Sequence, residues 1–476
     1  MENHNLIFSF SGIRGIVNKD LNYKIAKKLG IAFGQFFHAK DKRVIIGRDS
    51  RPSGGEIESG VIEGLISVGY DIIRVGICPS PVIIHAKRDL NIPAGIIITG
   101  SHNPQEWNGL KILLGHSFLS SIELEQISKS ISQIDLKDYD IDSIDISSRI
   151  TQLNPIPNYI AKLYENVNYE KTKKFNNLRV VLDTGAGAGK YVTPQILEGL
   201  GCKLKLINNE LLINKTFPRD IEPIEQNLRD LIMEVWQGKY DIGFAHDSDA
   251  DRLALIGDTG ICYPEDIGLA LIADYYLKNF SHQYEKAIFI TNLASSLMFE
   301  VLAFKYDVEI IRTPIGEKFL IEEIDKLRQK YQNCLILGGE GSCGGIMFPS
   351  FNNTRDAIFA AAKIIEILVQ TRKKISTLIS QLPKYFSYRR RIAFKNGNLS
   401  KIINAVKKEL NEEGESVMEI NNDLRFGKGV EWFVLIHPSN TEPIIRVISE
   451  AKTDSVARMY CEVTAELVRL IISKLE

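Results

Sequence analysis

Three aspartates at alternate positions are the strongest chemical signal in this chain of 476 residues. The stretch FAHDSDADRLALIGD places Asp247, Asp249 and Asp251 between two apolar runs that are typical of strands. Carboxylates this close repel one another unless a cation shares them, and their hard oxygens suit Mg²⁺. A calcium-binding EF-hand also opens on DxDxD, but Arg252 stands where that loop needs its turn glycine. A solvated acidic turn is the remaining alternative, and we favour a divalent metal site.

A serine follows directly on a run that is typical of a buried strand. The stretch AGIIITGSHNP ends its apolar part at Thr99-Gly100, and Ser101 and His102 precede an Asn-Pro pair. Proline fixes its own φ and biases the preceding residue away from the helix, so this turn is stiff. Two interpretations follow from the residues alone: an ordinary strand and polar turn, or a reactive hydroxyl held on a rigid loop.

A glycine-rich loop and an arginine between glycines offer possible ligand contacts. In GGEGSCGGIMFP (338–349), Glu340 and Ser342 could accept hydrogen bonds from sugar hydroxyls, although a flexible hairpin would have a similar composition. In SGIRG (11–15), Arg14 is predicted to lie in a tight turn, where a guanidinium suits a phosphate. GRDSRPSGG (47–55) could also bind phosphate, but we favour a packing role for it.

A polar loop near the C-terminus has the composition of a phosphate site. The stretch HPSNTEPIIRV (437–447) brings together hydroxyl, amide and guanidinium groups from Ser439, Asn440, Thr441 and Arg446. A capped turn before a strand is the competing interpretation. DTGAGAGKY (183–191) resembles a nucleotide phosphate loop less well, because Thr184 replaces its first glycine and Tyr191 its final Ser/Thr. It is better interpreted as a strand–turn–helix corner.

The overall composition excludes several classes of protein. Lys+Arg of 58 against Asp+Glu of 59 leaves no net field that would favour nucleic acid or an acidic membrane. The first residues, MENHNLIFSFSG, do not form a secretory signal, and no apolar run is long enough to span a bilayer. Six scattered cysteines without a CxxC pair indicate free thiols in a reducing compartment, so we expect a cytoplasmic protein.

The alternation of apolar strands and amphipathic helices predicts an α/β protein of several domains. We expect three similar mixed-sheet α/β domains and a smaller C-terminal α+β domain, with boundaries at 1–153, 154–257, 258–372 and 373–476. The polar stretch 130–153 is predicted to be a connector, and 373–387 a hinge.

The order of these loops resembles that of the α-D-phosphohexomutase family. The sequence SHNP at 101–104 and DxDxDR at 247–252 are specific in combination, and the step from Ser101 to Lys111 in NGLK also matches. The resemblance covers essentially the whole chain and implies four domains around a central cleft. It further implies interconversion of hexose 6-phosphate and hexose 1-phosphate through a phosphoserine and a sugar 1,6-bisphosphate.

The resemblance also assigns roles to individual residues. The implied catalytic residues are Ser101, His102, Lys111 and Arg252; the metal ligands are phosphorylated Ser101, Asp247, Asp249 and Asp251; the substrate-binding residues are Arg14, Lys318, Glu340, Ser342, Ser439, Asn440, Thr441 and Arg446. Lys111 would assist proton transfer, and Arg252 would hold the phosphoserine region. The implied cofactor is Mg²⁺, with a hexose 1,6-bisphosphate as activator. The implied partner is a small sugar phosphate, and the sequence does not decide between a monomer and a homodimer.

The sequence departs from the family at two positions that bear on function. Gly344 stands where many members have a histidine, and His437 stands where arginine is usual. Because all four loops are present, we expect an active enzyme. The sequence resembles the archaeal-type branch of the family, and this resemblance implies phosphoglucosamine as the preferred substrate class ahead of phosphomannose or phosphoglucose. A catalytically silent sugar-phosphate-binding protein and a phosphatase that loses phosphate to water are the alternatives.

Overall fold

The computed structural model describes residues 5–9, 12–37, 40–139, 145–395, 399–439 and 443–475. The chain divides into two compact units, one formed by residues 1–268 with 343–380 and the other by residues 269–342 with 381–476. Within the described ranges, no helix combines the length and apolar character that crossing a bilayer requires.

The first part of the chain builds a large mixed sheet. Its elements are β1 (Ile7–Ser9), β2 (Gly12–Ile16), α1 (Tyr23–Phe37), β3 (Arg43–Arg48), α2 (Gly54–Ser67), β4 (Asp71–Ile77), α3 (Ser80–Asp89), β5 (Ala94–Ile98), β6 (Trp107–Leu114), β7 (Ser117–Phe118), α4 (Ser121–Ile131) and β8 (Ile150–Gln152). The strand order is β1-β2-β6-β5-β3-β4-β8, with β7 paired to β6. Strands β3, β4, β5 and β8 run parallel, whereas β6 is antiparallel to β5 and to β2. The isoleucine-rich strand β5 is buried throughout because helices cover this part of the sheet.

The second part forms a four-stranded sheet. Its elements are α5 (Ile156–Glu165), α6 (Tyr169–Phe175), β9 (Arg179–Asp183), α7 (Thr193–Gly199), β10 (Lys203–Ile207), α8 (Arg229–Gly238), β11 (Ile242–His246) and β12 (Leu253–Gly257). The strand order is β10-β9-β11-β12, and only β12 is antiparallel to its neighbour. The predicted strand–turn–helix corner at 183–191 is confirmed by β9, a short 3₁₀ turn at Ala188–Tyr191 and α7.

The third part contributes elements to both compact units. Its elements are α9 (Asp266–Phe280), β13 (Lys286–Asn292), α10 (Met298–Lys305), β14 (Glu309–Thr313), α11 (Glu317–Lys330), β15 (Cys334–Glu340), β16 (Gly345–Phe348), β17 (Asn352–Arg355), α12 (Ala357–Thr371) and α13 (Ile375–Ile379). In the second unit, β13 pairs in parallel with β14 and β15. In the first unit, the antiparallel hairpin β16–β17 leads into α12, whose N-terminus is capped by Asp356.

The C-terminal part is an antiparallel sheet with two helices. Its elements are β18 (Phe386–Ala393), α14 (Leu399–Glu412), β19 (Met418–Ile420), β20 (Asp423–Lys428), β21 (Trp432–Pro438), β22 (Ile444–Ala451) and α15 (Asp454–Leu475). The strand order is β18-β22-β21-β20-β19. Apolar residues of α14 and α15, including Val406, Cys461 and Val468, share one core with Val434 and Val447 of the sheet. The mixed-sheet α/β parts and the smaller α+β part agree with the predicted fold class.

The tight turn predicted around Arg14 was wrong, and the segments predicted as a connector and a hinge contain regular structure. Arg14 lies within strand β2, because residues 12–16 extend to pair with β6. The predicted connector 130–153 ends in β8, which pairs with β4 and completes the edge of the first sheet. The predicted hinge 373–387 contains helix α13 and the start of β18, and the boundary between the two compact units, between Ser380 and Gln381, falls within it. In each case backbone pairing or a short helix satisfies polar groups that a loop would have left to water.

Candidate active site

The loop between β11 and β12 brings three buried carboxylates together. Asp247, Asp249 and Asp251 are at most 1% exposed, and one oxygen of each lies within 4.8 Å of the others. Ala250 adopts a left-handed φ of 56°, so the loop folds back on itself. The backbone N–H groups of Asp251 and Arg252 donate to Asp247 Oδ1 at 3.2 and 3.3 Å. The predicted acidic cluster therefore exists as one compact, buried group of carboxylates.

The free oxygens of this loop fit a divalent cation. Asp249 Oδ1 and Asp251 Oδ1 are buried and have no hydrogen-bond partner among the described residues. A buried carboxylate oxygen without a partner is costly, and a hard cation coordinated by oxygen would remove that cost. The structure thus supports a metal-binding role for the three carboxylates.

Two cationic side chains lie against the same carboxylates. Lys111, on β6, places Nζ 2.6 Å from Asp249 Oδ2 and 2.7 Å from Asp251 Oδ2. Arg355, at the end of β17, places Nη2 2.6 Å from Asp251 Oδ2. Burial raises the pKa of Asp251, but the charges of Arg355 and Lys111 outweigh burial and hold that pKa below its ordinary value. Burial and the two neighbouring carboxylates raise the pKa of Asp247 well above its ordinary value.

Ser101 lies next to the acidic loop. Its Oγ donates to Asp247 Oδ2 at 3.2 Å, and the residue is 1% exposed. Ser101 has a left-handed φ of 50°, which is uncommon for a residue other than glycine. Its backbone N–H donates to Thr99 Oγ1 at 2.8 Å. The geometry favours a hydroxyl held for chemistry over an ordinary polar turn.

His102, Arg252 and Arg14 surround the Ser101 loop. Arg252 Nη2 donates to His102 Nδ1 at 2.8 Å, and His102 Nδ1 lies 3.4 Å from Ser101 Oγ. Burial and the charges of Arg252 and Arg14 lower the pKa of His102 well below its ordinary value, so the imidazole is neutral. Arg14 Nη1 donates to Asn103 Oδ1 in the same loop. Burial, together with Arg252, lowers the pKa of Arg14 to about 10.

Three residues of this site were missed by the sequence reasoning. Asp49 and Arg51, in GRDSRPSGG, are fully buried, and Arg51 contacts backbone carbonyls of the Ser101 loop. The favoured packing role of that stretch agrees with this burial. Arg355 was missed because nothing in the sequence around β17 marks it as a partner of Asp251. A contact between residues that are fifty or more positions apart leaves no local pattern in the sequence.

The predicted sugar-binding residues lie in the second unit. Glu340 is buried at the end of β15, where its Oε1 accepts hydrogen bonds from Asn292 Nδ2 at 3.1 Å and from the N–H of Gly316 at 2.8 Å. Lys318, in the first turn of α11, lies 3.4 Å from Glu322. The carbonyl of Ser342 accepts a hydrogen bond from Arg389 Nη2 at 3.5 Å.

The predicted phosphate loop follows β21. Asn440 and Thr441 lie outside the described residues, whereas Ser439 follows β21 and Arg446 lies on β22. Arg446 is directly opposite His437 on one side and Arg391 on the other. Three basic positions are therefore cross-strand neighbours on β21, β22 and β18, and the sequence reasoning missed Arg391. His437 Nδ1 is 2.6 Å from Asp423 Oδ1, so this imidazole is already bonded to a carboxylate.

Comparisons with known proteins show the family of the chain. Models of domains I, II and III of the phosphoglucomutase/phosphomannomutase family match residues 5–138, 157–260 and 264–386. A phosphoglucomutase/phosphomannomutase of Thermococcus kodakarensis is 33% identical, over 97% of this chain and 98% of that protein. The chain belongs to this family. A probable phosphoglucosamine mutase of Pyrococcus abyssi is 31% identical, over 98% of each chain.

A solved structure has the same fold as this chain. The phosphoglucomutase/phosphomannomutase family protein of Burkholderia thailandensis superimposes with a TM-score of 0.80 and 23% identity, over 97% of both chains. At that identity, the likeness establishes the common fold.

Proposed function

We propose that this phosphoglucomutase/phosphomannomutase family member is a phosphohexomutase that interconverts hexose 6-phosphate and hexose 1-phosphate. The observation that carries the proposal is Ser101 Oγ, 3.2 Å from Asp247 at the edge of a buried three-carboxylate loop. A serine hydroxyl beside a metal-type site is the arrangement that reversible phosphoryl transfer requires. The chemistry is isomerisation by intramolecular phosphate exchange.

In the proposed reaction, Ser101 carries the phosphoryl group. The bond between phosphorus and Ser101 Oγ breaks as a bond forms to the free hydroxyl of the sugar phosphate, which becomes a bisphosphate. The proton lost by that hydroxyl is balanced by the proton that Ser101 Oγ gains, so Ser101 ends as a hydroxyl. After the bisphosphate turns around, the other phosphoryl group returns to Ser101 by the reverse step. No phosphate is gained or lost over the cycle.

The residues around Ser101 would divide the remaining work. Asp247, Asp249 and Asp251, with the phosphoserine, would hold Mg²⁺, which when bound offsets negative charge on the transferring phosphoryl oxygens. We assign Lys111 to proton transfer at the Ser101 oxygen.

The basic groups next to Ser101 would hold its phosphate in place. Arg14 and Arg252 donate hydrogen bonds to Asn103 and His102 of the Ser101 loop and would supply positive charge for that phosphate. His102 accepts a hydrogen bond from Arg252 and fixes the guanidinium in place.

Residues of the second unit would hold the sugar phosphate. We assign Glu340 and Ser342 to the sugar hydroxyls, and Lys318 to the substrate. The loop with Ser439, Asn440, Thr441 and Arg446 would bind the phosphate that does not react. Arg391, directly opposite Arg446, adds a second guanidinium at that end of the sheet.

The preferred substrate we propose is glucosamine phosphate, with mannose and glucose phosphates as the alternative. The support is the naming of similar archaeal proteins as probable phosphoglucosamine mutases. A hexose 1,6-bisphosphate would load the first phosphate onto Ser101. The six cysteines are free thiols, which supports a cytoplasmic location, and a small sugar phosphate is the only partner that the proposal needs.

The direct test offers the protein three sugars. Protein, Mg²⁺ and a trace of hexose 1,6-bisphosphate are mixed with glucosamine, glucose or mannose 6-phosphate, and the 1-phosphates are followed by ³¹P NMR. If glucosamine 6-phosphate is converted fastest, the proposed preference is supported. Faster conversion of another sugar reassigns the substrate, and more inorganic phosphate than isomerised sugar indicates a phosphatase.

Replacing the serine separates an enzyme from a binding protein. We expect Ser101→Ala to abolish turnover while retaining sugar-phosphate binding measured by calorimetry, because only the phosphoryl carrier is lost. Ser59→Ala, at an exposed position of α2, is the matched control and should keep the full rate. No conversion of any sugar by the wild type with phosphorylated Ser101 would contradict the mutase proposal and favour a silent binding protein.

A further inference from the structure

We propose that Arg51, with Asp49, is a positioning residue. The pair holds the Ser101 loop (residues 101–107) and the acidic loop (residues 247–251), which would bind the metal, in a fixed position relative to each other. This inference rests on the proposed mutase function, because positioning has a catalytic meaning only if Ser101 transfers phosphate. It concerns a pair of residues that precede Ser101 by about fifty positions, of which Arg51 contacts the Ser101 loop through backbone carbonyls.

The Arg51 guanidinium uses all of its N–H groups inside the protein. The side chain is fully buried. Its acceptors are Asp49 Oδ2 (3.1 Å from Nε), the carbonyls of Pro104 (2.8 Å) and Trp107 (3.1 Å) for Nη1, and the carbonyls of Ser101 and Asn103 (2.7 Å each) for Nη2. Four of the five acceptors are therefore backbone oxygens between residues 101 and 107. A planar fork of five donors is specific to arginine, and lysine has only three.

Asp49 extends the same network to the metal loop. Its Oδ2 accepts from Thr99 Oγ1 at 2.7 Å, just before Ser101. Ser248, between two of the proposed metal ligands, places Oγ 2.8 Å from Asp49 Oδ2 and 2.8 Å from the Ser101 carbonyl. The two loops that must act together are thus bonded to one buried carboxylate, and Arg51 balances its charge.

The conformation of Ser101 explains why such an anchor is needed. A left-handed φ of 50° is disfavoured for serine, so the surroundings must hold it. Arg51 and Ser248 contact its carbonyl, and Thr99 accepts from its N–H, so rotation of the peptide groups on either side is opposed. Ser101 Oγ then stays directed at Asp247. In-line transfer depends on that placement, because Ser101 gives and receives a phosphoryl group in each cycle.

Gly100 provides an independent sign that the backbone is built around the guanidinium. A Cβ at this position would lie 2.6 Å from Arg51 Cζ. Real Cβ atoms do not approach other heavy atoms that closely, so the residue before Ser101 must be glycine for Arg51 to reach the carbonyls.

The test compares Arg51→Lys with a matched arginine. Arg74→Lys is the control, because Arg74 also forms an ion pair with a buried carboxylate, that of Glu58 on α2, and contacts neither loop within the part of the chain that the structure describes. Each variant is assayed with saturating Mg²⁺ at a temperature at which circular dichroism shows it folded. We expect kcat of Arg51→Lys to fall at least about thirtyfold, with KM for the sugar phosphate and the half-saturating Mg²⁺ concentration within about twofold of the wild type. Arg74→Lys should keep the wild-type kcat.

A second variant keeps the inference testable if Arg51→Lys does not fold. Ser248→Ala removes only the hydroxyl shared by Asp49 and the Ser101 carbonyl, and we expect about tenfold lower kcat with unchanged KM. Wild-type kcat in Ser248→Ala and in any folded Arg51→Lys would overturn the inference. A higher KM or a weaker Mg²⁺ affinity in place of a lower kcat would also overturn the inference, because either change would show that binding is damaged. An inactive wild type would instead contradict the proposed function itself.

Discussion

Asp247, Asp249 and Asp251 have different partners although they share one short loop. Asp247 accepts two backbone N–H groups and the Ser101 hydroxyl, whereas Asp249 and Asp251 share the Lys111 ammonium. The cations lower the pKa of Asp251 against the effect of burial, while burial and the other two carboxylates raise the pKa of Asp247. At the scale of residues, the loop is a set of carboxylates whose charge is only partly balanced by the protein. A divalent cation would complete that balance.

The first prediction concerns the middle carboxylate. We expect Asp249→Asn to raise the half-saturating Mg²⁺ concentration by at least about tenfold, which corresponds to about 1.4 kcal/mol, because an anionic ligand is lost. Thermal unfolding with and without Mg²⁺ measures this independently of activity. At a Mg²⁺ concentration about 100 times its Kd, the wild type should gain about 2.7 kcal/mol, and the variant much less.

An exposed aspartate controls for the loss of charge alone. Asp220→Asn, in the second part of the chain, should leave the Mg²⁺ response unchanged. If Asp249→Asn kept the wild-type response, the three-carboxylate metal site would be wrong.

At the scale of elements, the strands β2, β5, β6, β11 and β12 place the reacting groups. Ser101 follows β5, Lys111 lies within β6, and the acidic loop joins β11 to β12. Strand β6 lies between β5 and β2, so Lys111 and Arg14 are carried on neighbouring strands of one sheet. The pairing register of these strands therefore determines which side chains come into contact.

The second prediction tests the contact between β2 and β6. Gly109 on β6 is directly opposite Arg14, and a Cβ there would lie 2.2 Å from the carbonyl oxygen of Ile13. We expect Gly109→Ala to push β2 away, lower the free energy of unfolding by about 1–3 kcal/mol and reduce kcat, because Arg14 moves with its strand. Urea unfolding and the mutase assay measure the two effects.

A glycine in open space is the control for this substitution. At Gly55, in the first turn of α2, an added Cβ meets only Arg48 Nη2 at 4.0 Å. Gly55→Ala should leave stability equal or slightly higher, since alanine favours the helix. Equal stability of Gly109→Ala and the wild type would show that β2 and β6 tolerate separation.

Local signals in the sequence located the Ser101 loop and the acidic loop better than the scaffold that brings them together. The apolar runs and turn residues around Ser101 and Asp247 predicted a strand followed by a functional loop, because those signals lie within a few residues of each other. The positions of Arg14, Arg51 and Arg355 were not predictable in this way. Each depends on which distant strand or loop pairs with it, and a single sequence contains no record of that pairing. Helix α13 was missed because five residues are too few to show a period.

At the scale of the first compact unit, one buried aromatic cluster joins three parts of the chain. His85 on α3 packs against Tyr159 on α5 and against Phe351, which follows β16, with ring centroids 5.5 and 5.1 Å apart. The Tyr159 hydroxyl donates to Asp356, the N-cap of α12. Because the His85 imidazole is buried in this cluster, the free energy of unfolding of the unit depends on the protonation of that ring.

The last prediction follows from that ring. Burial, assisted by Arg88 and Lys162 and opposed by Asp89, lowers the pKa of His85 to about 4, from about 6.5 in an unfolded chain. Between these values the unfolded chain binds a proton that the folded protein excludes, so stability is complete above about pH 6.5 and falls as the pH decreases. From pH 7.5 to pH 5, protonation of His85 in the unfolded chain should lower the free energy of unfolding by about 2 kcal/mol.

Urea unfolding of the wild type, His85→Phe and His85→Gln at both pH values isolates this contribution. Each variant removes the titration, so each should lose about 2 kcal/mol less than the wild type over that interval. Equal losses in all three proteins would show that the His85 ring is protonated within the fold and that the acid sensitivity of this unit arises at other groups.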